Sequence, residues 1–155
     1  MDVYIHYVRT GQYKFANNRM LTQLGHKQVA MAAADVAKRI GKNDFVVFKD
    51  MTAHPAYQQT ANIIARALGV QTVKSVFFDD FHDYHLTSIS DYVHKGVNHF
   101  VLVVNGSSIE DMIGKYPGPA IECDGFGPPN GSVQTLRVRA TTTRYDGKII
   151  VKNFI

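Results

Sequence analysis

Two short polar segments, each directly after an apolar run, carry the residue types that bind oxyanions. The arginine of the first segment can make a two-pronged contact to a phosphate or carboxylate. The second segment offers a side-chain amide and backbone N–H groups at the expected start of a helix, where the helix dipole favours anions. The candidate ligand-binding residues of these segments are Arg9, Thr10, Gly11, Asn105, Gly106 and Ser107.

His54 is a further candidate for the same site because it stands directly before Pro55 at an expected helix start. A protonated imidazole there would add a cation to an anion site, and a neutral one would be a nucleophile for phosphorus. The simpler alternative is a surface or capping histidine.

The segment Asp79–His85 holds three carboxylates and two histidines within seven positions. These residue types bind zinc or manganese, but their spacing matches no known class of metal site and no second cluster accompanies them. We therefore predict a solvated acidic loop, with no metal and no cofactor.

Hydrophobic periodicity predicts strands that alternate with helices. The predicted strands are residues 3–9, 45–48, 72–78, 100–104, 133–139 and 149–151, the last two joined around 146–147. The predicted helices are 22–40, with Thr22 as cap and Gly41 as stop, 55–68, 90–96, and a short helix capped by Ser107 or Ser108 that ends near 116. Residues 79–85 are predicted to be a loop.

This alternation predicts an α/β fold, three-layer α/β/α, with a mainly parallel central sheet. The strands before Arg9 and before Asn105 are expected to be neighbours. Because ligands bind at the carboxyl ends of parallel strands, the two polar segments should meet at one edge of the sheet.

The composition indicates one domain, residues 1–155, with 45% hydrophobic residues and a formal charge of +4. The basic residues are scattered, so nucleic acid is not an expected partner, and the longest apolar runs are too short to span a membrane. The first residues read as a strand with no secretory signal, and the single cysteine fits a reducing compartment. We expect a cytoplasmic protein.

Five segments resemble, in the correct order, the histidine phosphatase (phosphoglycerate-mutase-like) superfamily. The first, Val8-Arg9-Thr10-Gly11-Gln12, is similar to the opening Val-Arg-His-Gly-Glu/Gln of that superfamily. The others are Leu21 to Ala30, Gln59 to Ala65, Val101 to Gly106, and Asn130 to Val133 with Val151 to Phe154.

The resemblance implies that the catalytic positions have changed. It puts the nucleophilic histidine at Thr10, the second pocket histidine at Asn105 and the phosphate-binding arginine of the second helix near Ala56, and it leaves Arg9 as the one retained cation. It puts a general acid at residue 79 or 80. A threonine hydroxyl is a poor nucleophile without an adjacent base. The expected protein is a catalytically inactive pseudophosphatase that acts as a binding or interaction module.

The expected partners are a phosphorylated small molecule or protein, or the other subunits of a larger assembly. One alternative is a phosphoesterase with a rearranged active site built on His54, or on His82 and His85. Another is a vestigial cleft, in which Arg9 pairs with an internal carboxylate or side chains such as Tyr13 or Tyr57 fill the space. Nucleic-acid binding rests on the basic charge alone.

Overall fold

The computed structural model of the chain describes residues 2–50, 54–70, 74–76, 84–116, 118, 127–142 and 147–155. The described strands are β1 (Asp2–Arg9), β2 (Tyr13–Lys14), β3 (Met20–Leu21), β4 (Phe45–Asp50), β5 (Lys74–Val76), β6 (His99–Val104), β7 (Val133–Thr142) and β8 (Gly147–Phe154). The helices are α1 (Gln23–Ile40), α2 (Pro55–Ala67), α3 (Tyr84–Val93) and α4 (Gly106–Lys115), with a 3-10 turn at Phe15–Asn17.

Six of these strands form one sheet in the order β5-β4-β6-β1-β7-β8. The pairs β4–β5, β4–β6 and β1–β6 are parallel, while β7 is antiparallel to both β1 and β8. The prediction of a mainly parallel α/β sheet is confirmed. The predicted neighbours β1 and β6 pair so that Arg9 lies opposite Val104.

Helices cover both faces of the sheet, as the three-layer prediction requires. Successive side chains of a strand point to opposite faces, and β1 shows this directly. Ile5 and Tyr7 belong to the core beneath α3 and α4, whereas Val8 belongs to the core beneath α1 and α2. None of the helices in the described part of the chain combines the length and apolarity that crossing a membrane needs.

The predicted ends of α1 are confirmed. The Thr22 hydroxyl accepts a hydrogen bond from the N–H of Gly25, and Gly41 stops the helix at a φ of 60°. The loop after β1 runs directly over this helix start. A Cβ on Gly25 would lie 2.1 Å from the carbonyl oxygen of Gln12, and one on Gly11 would lie 2.5 Å from that of Gly25.

The prediction for the third helix is wrong at its start. Residues 84 and 85 are the first turn of α3 rather than loop, and the helix ends at Val93. Ile89 and Val93, one turn apart, are both buried against the sheet. Their packing stabilises the helix, although the polar sequence before Ile89 shows no clear helical periodicity. Residues 79–83 lie outside the described part, so the predicted acidic loop, its absent metal and the general acid at 79 or 80 remain predictions.

The cap of the fourth helix also differs from the prediction. Asn105, not Ser107 or Ser108, precedes the first turn, and its side-chain oxygen accepts a hydrogen bond of 2.7 Å from the N–H of Ser108. Asparagine and serine are equally good N-caps, so residue type alone did not distinguish Asn105 from the two serines that were predicted. The predicted turn at residue 146 lies outside the described residues, and the strands on either side of it are longer than predicted.

Substitution Gly25→Ala should lower the free energy of unfolding by about 2 kcal/mol or more, because a Cβ would overlap the backbone of Gln12 and the loop after β1 would have to move away from α1. Chemical denaturation of the purified variant measures this. The matched control is Gly114→Ala in α4, where nothing lies within 4 Å of the added Cβ. That change should stabilise the protein by roughly 0.5 kcal/mol. Equal effects in the two variants would contradict the close approach.

Candidate functional site

A cavity of about 310 Å³ opens at the carboxyl ends of β1 and β6. The two polar segments predicted from the sequence meet there. Of the seven candidate residues, five line the cavity: Arg9, Thr10, Asn105, Gly106 and Ser107. The remaining lining residues are Tyr13, Phe15, Tyr57 and Asn130.

Arg9 is fixed at the cavity by the segment that leads into β7. Its backbone N–H donates to Ser132, its carbonyl accepts from Gly131, and its side-chain Nη1 donates to the carbonyl of Pro128. Among the residues that the structure describes, no carboxylate lies within ion-pair distance of the guanidinium. Within the described ranges, the guanidinium of Arg9 is therefore held by the neutral carbonyl of Pro128 and has no carboxylate partner.

The start of α4 forms the opposite wall. Asn105 uses its side-chain oxygen to cap the N–H of Ser108. The N–H groups of Gly106 and Ser107 belong to the first turn of the helix, which has no intrahelical acceptors to offer them. Both residues line the cavity. Arg9 thus faces the positive end of a helix dipole, and this arrangement favours an anion between them.

Thr10 is buried, with 4% of its surface exposed. Its hydroxyl lies 3.0 Å from that of Thr60, which in turn donates to the carbonyl of Ala56 at 2.8 Å. Since the Thr60 proton is committed to that carbonyl, Thr10 is the donor in the contact between the two hydroxyls, and the carbonyl of Gly11, at 3.4 Å, is a longer second acceptor for the same proton. No described imidazole or carboxylate hydrogen-bonds to Thr10, so nothing in this part of the structure activates its hydroxyl as a nucleophile.

The other two candidates, Gly11 and His54, do not line the cavity. Gly11 packs against Gly25 at the start of α1. His54 precedes α2 without capping it, and its Nδ1 lies 3.0 Å from Nη1 of Arg19. Because arginine only donates, this ring nitrogen accepts, and the proton of a neutral His54 is on Nε2.

Sequence reasoning named Tyr13 and Tyr57 only as side chains that could fill the cleft, and it missed Phe15. The structure places all three residues around the cavity as an aromatic rim. The ring of Tyr13 lies 6.1 Å from Phe15 and 6.4 Å from Tyr57, and the Arg19 guanidinium is 5.1 Å from the centre of the Phe15 ring. Phe15 is 72% exposed. The only sequence signal was the closeness of Tyr13 and Phe15 to Arg9, since the contact with α2 depends on the fold.

No family model matches the sequence, and no curated protein matches it. Solved structures do match over nearly the whole chain. Mycobacterial glucosyl-3-phosphoglycerate phosphatase aligns with a TM-score of 0.61 at 14% identity, covering 97% of both chains. The protein histidine phosphatase SixA, in a tungstate complex, aligns at 0.56 and 13%, covering 95% of this chain and 94% of its own. Phosphoglycerate mutase from Plasmodium falciparum aligns at 0.56 and 13%, covering 99% and 91%.

This chain has the phosphoglycerate-mutase-like fold. At such low identities the comparisons establish the fold and leave the activity open. The resemblance noted in the sequence is confirmed at the level of the fold.

A second cavity, of about 600 Å³, lies toward the amino ends of β1 and β6 in this phosphoglycerate-mutase-like sheet. His6 Nε2 is 2.9 Å from His99 Nδ1, and both rings are buried. Burial, with smaller contributions from His99 and Arg39, lowers the pKa of His6 from 6.5 to about 3, and burial also lowers the pKa of His99. Neither these two histidines nor any other residues in the described ranges belong to a group of three or more His, Cys, Asp or Glu side chains that could hold a metal ion.

The lowered pKa of His6 should make the stability depend on pH. Unfolding restores an ordinary pKa near 6.5, so below that pH the unfolded chain binds a proton that the folded chain excludes. Stability should fall as the pH drops from 6.5 toward 3, by up to about 1.4 kcal/mol per pH unit for this one proton. Urea unfolding across this range should show a shallower dependence for His6→Gln than for wild type.

The control for this measurement is His94→Gln, since His94 is exposed. It should leave the slope of stability against pH unchanged. If wild type and His6→Gln gave parallel slopes, His6 would not be the group responsible.

Proposed function

We propose that this chain is a non-hydrolysing protein of phosphatase fold that binds the phosphoryl group of a phosphorylated small molecule or protein in the Arg9 cavity. One observation supports this most directly. An arginine without a described carboxylate partner faces a helix start, beside a threonine whose hydroxyl has no base.

The binding half of the proposal rests on charge. An oxyanion between Arg9 and α4 would give the guanidinium an ionised acceptor in addition to the neutral carbonyl of Pro128, and it could accept two parallel N–H bonds from the guanidinium. The N–H groups of Gly106 and Ser107 would gain the acceptors that the helix does not supply. The tungstate held by SixA is consistent with oxyanion binding on this fold.

The non-catalytic half rests on Thr10. The resemblance assigns this position to the nucleophile, and here the side chain is buried and donates its proton to Thr60. Attack on phosphorus would require a base for that proton and further donors for the transferring oxygens. At the position where an arginine was expected, the small side chain of Ala56 is fully buried.

The rim suggests that the ligand is larger than phosphate alone. Tyr13 and Phe15 flank the cavity, and the exposed ring of Phe15 offers a face to an apolar or planar group. A phosphate ester with an organic substituent fits both parts of the site. Participation in a larger assembly and a cytoplasmic location remain part of the proposal.

A phosphoesterase with a rearranged site is the alternative. It would use His54, whose ring contacts Tyr13 and Tyr57 at the rim. The hydrogen bond from Arg19 occupies its Nδ1 and leaves a protonated Nε2 on the neutral ring, so attack through Nδ1 would first require this contact to break. The histidine at position 82 lies outside the described residues.

Wild-type protein should not hydrolyse p-nitrophenyl phosphate, because no described base activates Thr10. A continuous absorbance assay with highly purified protein measures this, with the His54→Gln variant in parallel. Turnover by wild type that disappears in His54→Gln would establish the rearranged enzyme instead.

Substitution Arg9→Ala should weaken binding of phenyl phosphate by roughly tenfold or more, since the arginine supplies a charge-assisted, two-pronged contact. Titration calorimetry compares the variant with wild type, and thermal unfolding confirms that both are folded. The matched control is Arg139→Ala, which removes an exposed arginine paired with Asp2. This change should leave the affinity intact. Equal affinities in wild type and Arg9→Ala, or no binding by wild type, would refute the phosphoryl site.

A further inference from the structure

The second cavity contains polar side chains that the proposed function does not use. Its described lining consists of Tyr4, His6, Arg39, His99, Thr135 and Ile155. It lies toward the opposite ends of the strands from Arg9, so it is a separate site. Three of its polar residues, His6, His99 and Thr135, are at least 95% buried, and the orientation of their hydrogen bonds can be derived.

The chain of hydrogen bonds starts at a group that only donates. Arg39 Nη1 donates to the hydroxyl oxygen of Thr135 at 2.8 Å. The same hydroxyl lies 2.8 Å from Nδ1 of His6. Within the described residues, His6 is the sole acceptor within reach of the Thr135 proton. The buried hydroxyl therefore donates to His6, because otherwise its proton would be left unsatisfied.

This direction continues through both imidazoles. Since Nδ1 of His6 accepts, the proton of the neutral ring is on Nε2, and Nε2 donates across 2.9 Å to Nδ1 of His99. The proton of His99 must then be on its own Nε2. That atom has no hydrogen-bond partner among the described residues, and His99 lines the cavity. The cavity therefore receives an N–H donor at the end of a chain that begins at a guanidinium cation.

The other polar groups of the cavity are also donors. Within the described part of the chain, Asp35 accepts from two of the five N–H groups of Arg39 and Thr135 accepts from one, so two have no described partner. The Tyr4 hydroxyl has no partner in the described part of the chain. We propose that this cavity binds the carboxylate group of a small organic acid, with His99 Nε2–H and the two remaining N–H groups of Arg39 as donors.

A carboxylate fits this set because it offers acceptors and no donor. Chains of hydrogen bonds polarise one another, so the cation at the head strengthens the donor at the end. Burial lowers the pKa of both His6 and His99 below 6.5, so both rings are neutral at pH 7, as the derived orientation requires. The Asp35 carboxylate, 2.8 Å from Arg39 Nε, offsets part of the positive charge of Arg39 and weakens the binding of an anion in the cavity. The expected affinity is accordingly modest.

The apolar part of the cavity indicates an organic acid rather than an inorganic anion. Ile155 and the Tyr4 ring line the same space, and the rings of Tyr4 and His99 stack with centroids 5.0 Å apart. A volume of about 600 Å³ exceeds what a bare oxyanion fills, whereas small organic ligands occupy cavities of about 300–1,000 Å³. The hydrocarbon part of the acid would cover these side chains.

The first test is binding of benzoate against its neutral isostere benzamide. Calorimetric titration of wild-type protein should show benzoate bound about tenfold more tightly than benzamide. Thr135→Val, which breaks the chain of hydrogen bonds, should remove most of this preference. Arg66→Ala, an exposed arginine at the end of α2, is the charge control and should bind benzoate like wild type. Equal affinity for the two compounds, or no binding of either, overturns the proposal.

The second test needs no variant and so does not depend on Thr135→Val folding. Long-range proton–nitrogen correlation spectra of the ¹⁵N-labelled protein at neutral pH report which ring nitrogen carries the proton. Both His6 and His99 should be protonated on Nε2, and benzoate should shift the His99 Nε2 resonance. A His99 protonated on Nδ1 would reverse the chain and overturn the proposal. The loss of preference in Thr135→Val and the shift of the His99 resonance both report on this cavity, so neither depends on whether the phosphoryl site at Arg9 exists.

Discussion

The pairing of β1 on both of its edges is the constraint on which both cavities depend. Parallel pairing with β6 sets Arg9 beside Val104, so the residues that follow each strand reach the same edge of the sheet. Antiparallel pairing with β7 brings the segment before Val133 to that edge as well, and this segment supplies the carbonyl that holds Arg9. A shift of one residue in either register would turn the side chains of β1 to the wrong faces.

Close backbone contacts then fix the shape of the Arg9 cavity. Gly127 has a φ of 105°, and a Cβ there would lie 2.0 Å from the carbonyl oxygen of Gly106. The segment before β7 therefore rests directly on the start of α4. Two walls of the cavity are joined by backbone rather than by side chains that change rotamer, so the separation between Arg9 and the helix start is set by the fold. Preorganisation of this kind lowers the entropic cost of binding a ligand.

Features decided by local chemistry could be predicted from the sequence. The cap at Thr22, the stop at Gly41 and the proline at the start of α2 are signals within one turn of the helix end. The alternation of strands and helices, and with it the meeting of Arg9 with Asn105, follows from periodicity. The start of α3 could not be predicted from periodicity, because the burial of Ile89 depends on a sheet that is assembled from distant strands.

The contacts between side chains in the two cavities could not be predicted from the sequence for the same reason, since they join residues that are far apart along the chain. His6 and His99 are 93 positions apart and touch because their strands are neighbours. In the sequence each is one more residue of a strand, with nothing to mark its partner. The aromatic rim is similar, since the contact of Tyr13 with Tyr57 requires the loop after β1 to reach α2.

The hydroxyl chain from Thr10 through Thr60 to the carbonyl of Ala56 has an evolutionary consequence. Thr10 has 4% of its surface exposed, so its side chain is enclosed by its neighbours. An imidazole at this position is bulkier than the threonine side chain and would have to displace Thr60, whose own hydroxyl is committed to the helix backbone. A single substitution toward histidine would therefore lose packing before it gained any reactivity. Several positions would therefore have to change together before a histidine could be accommodated at position 10.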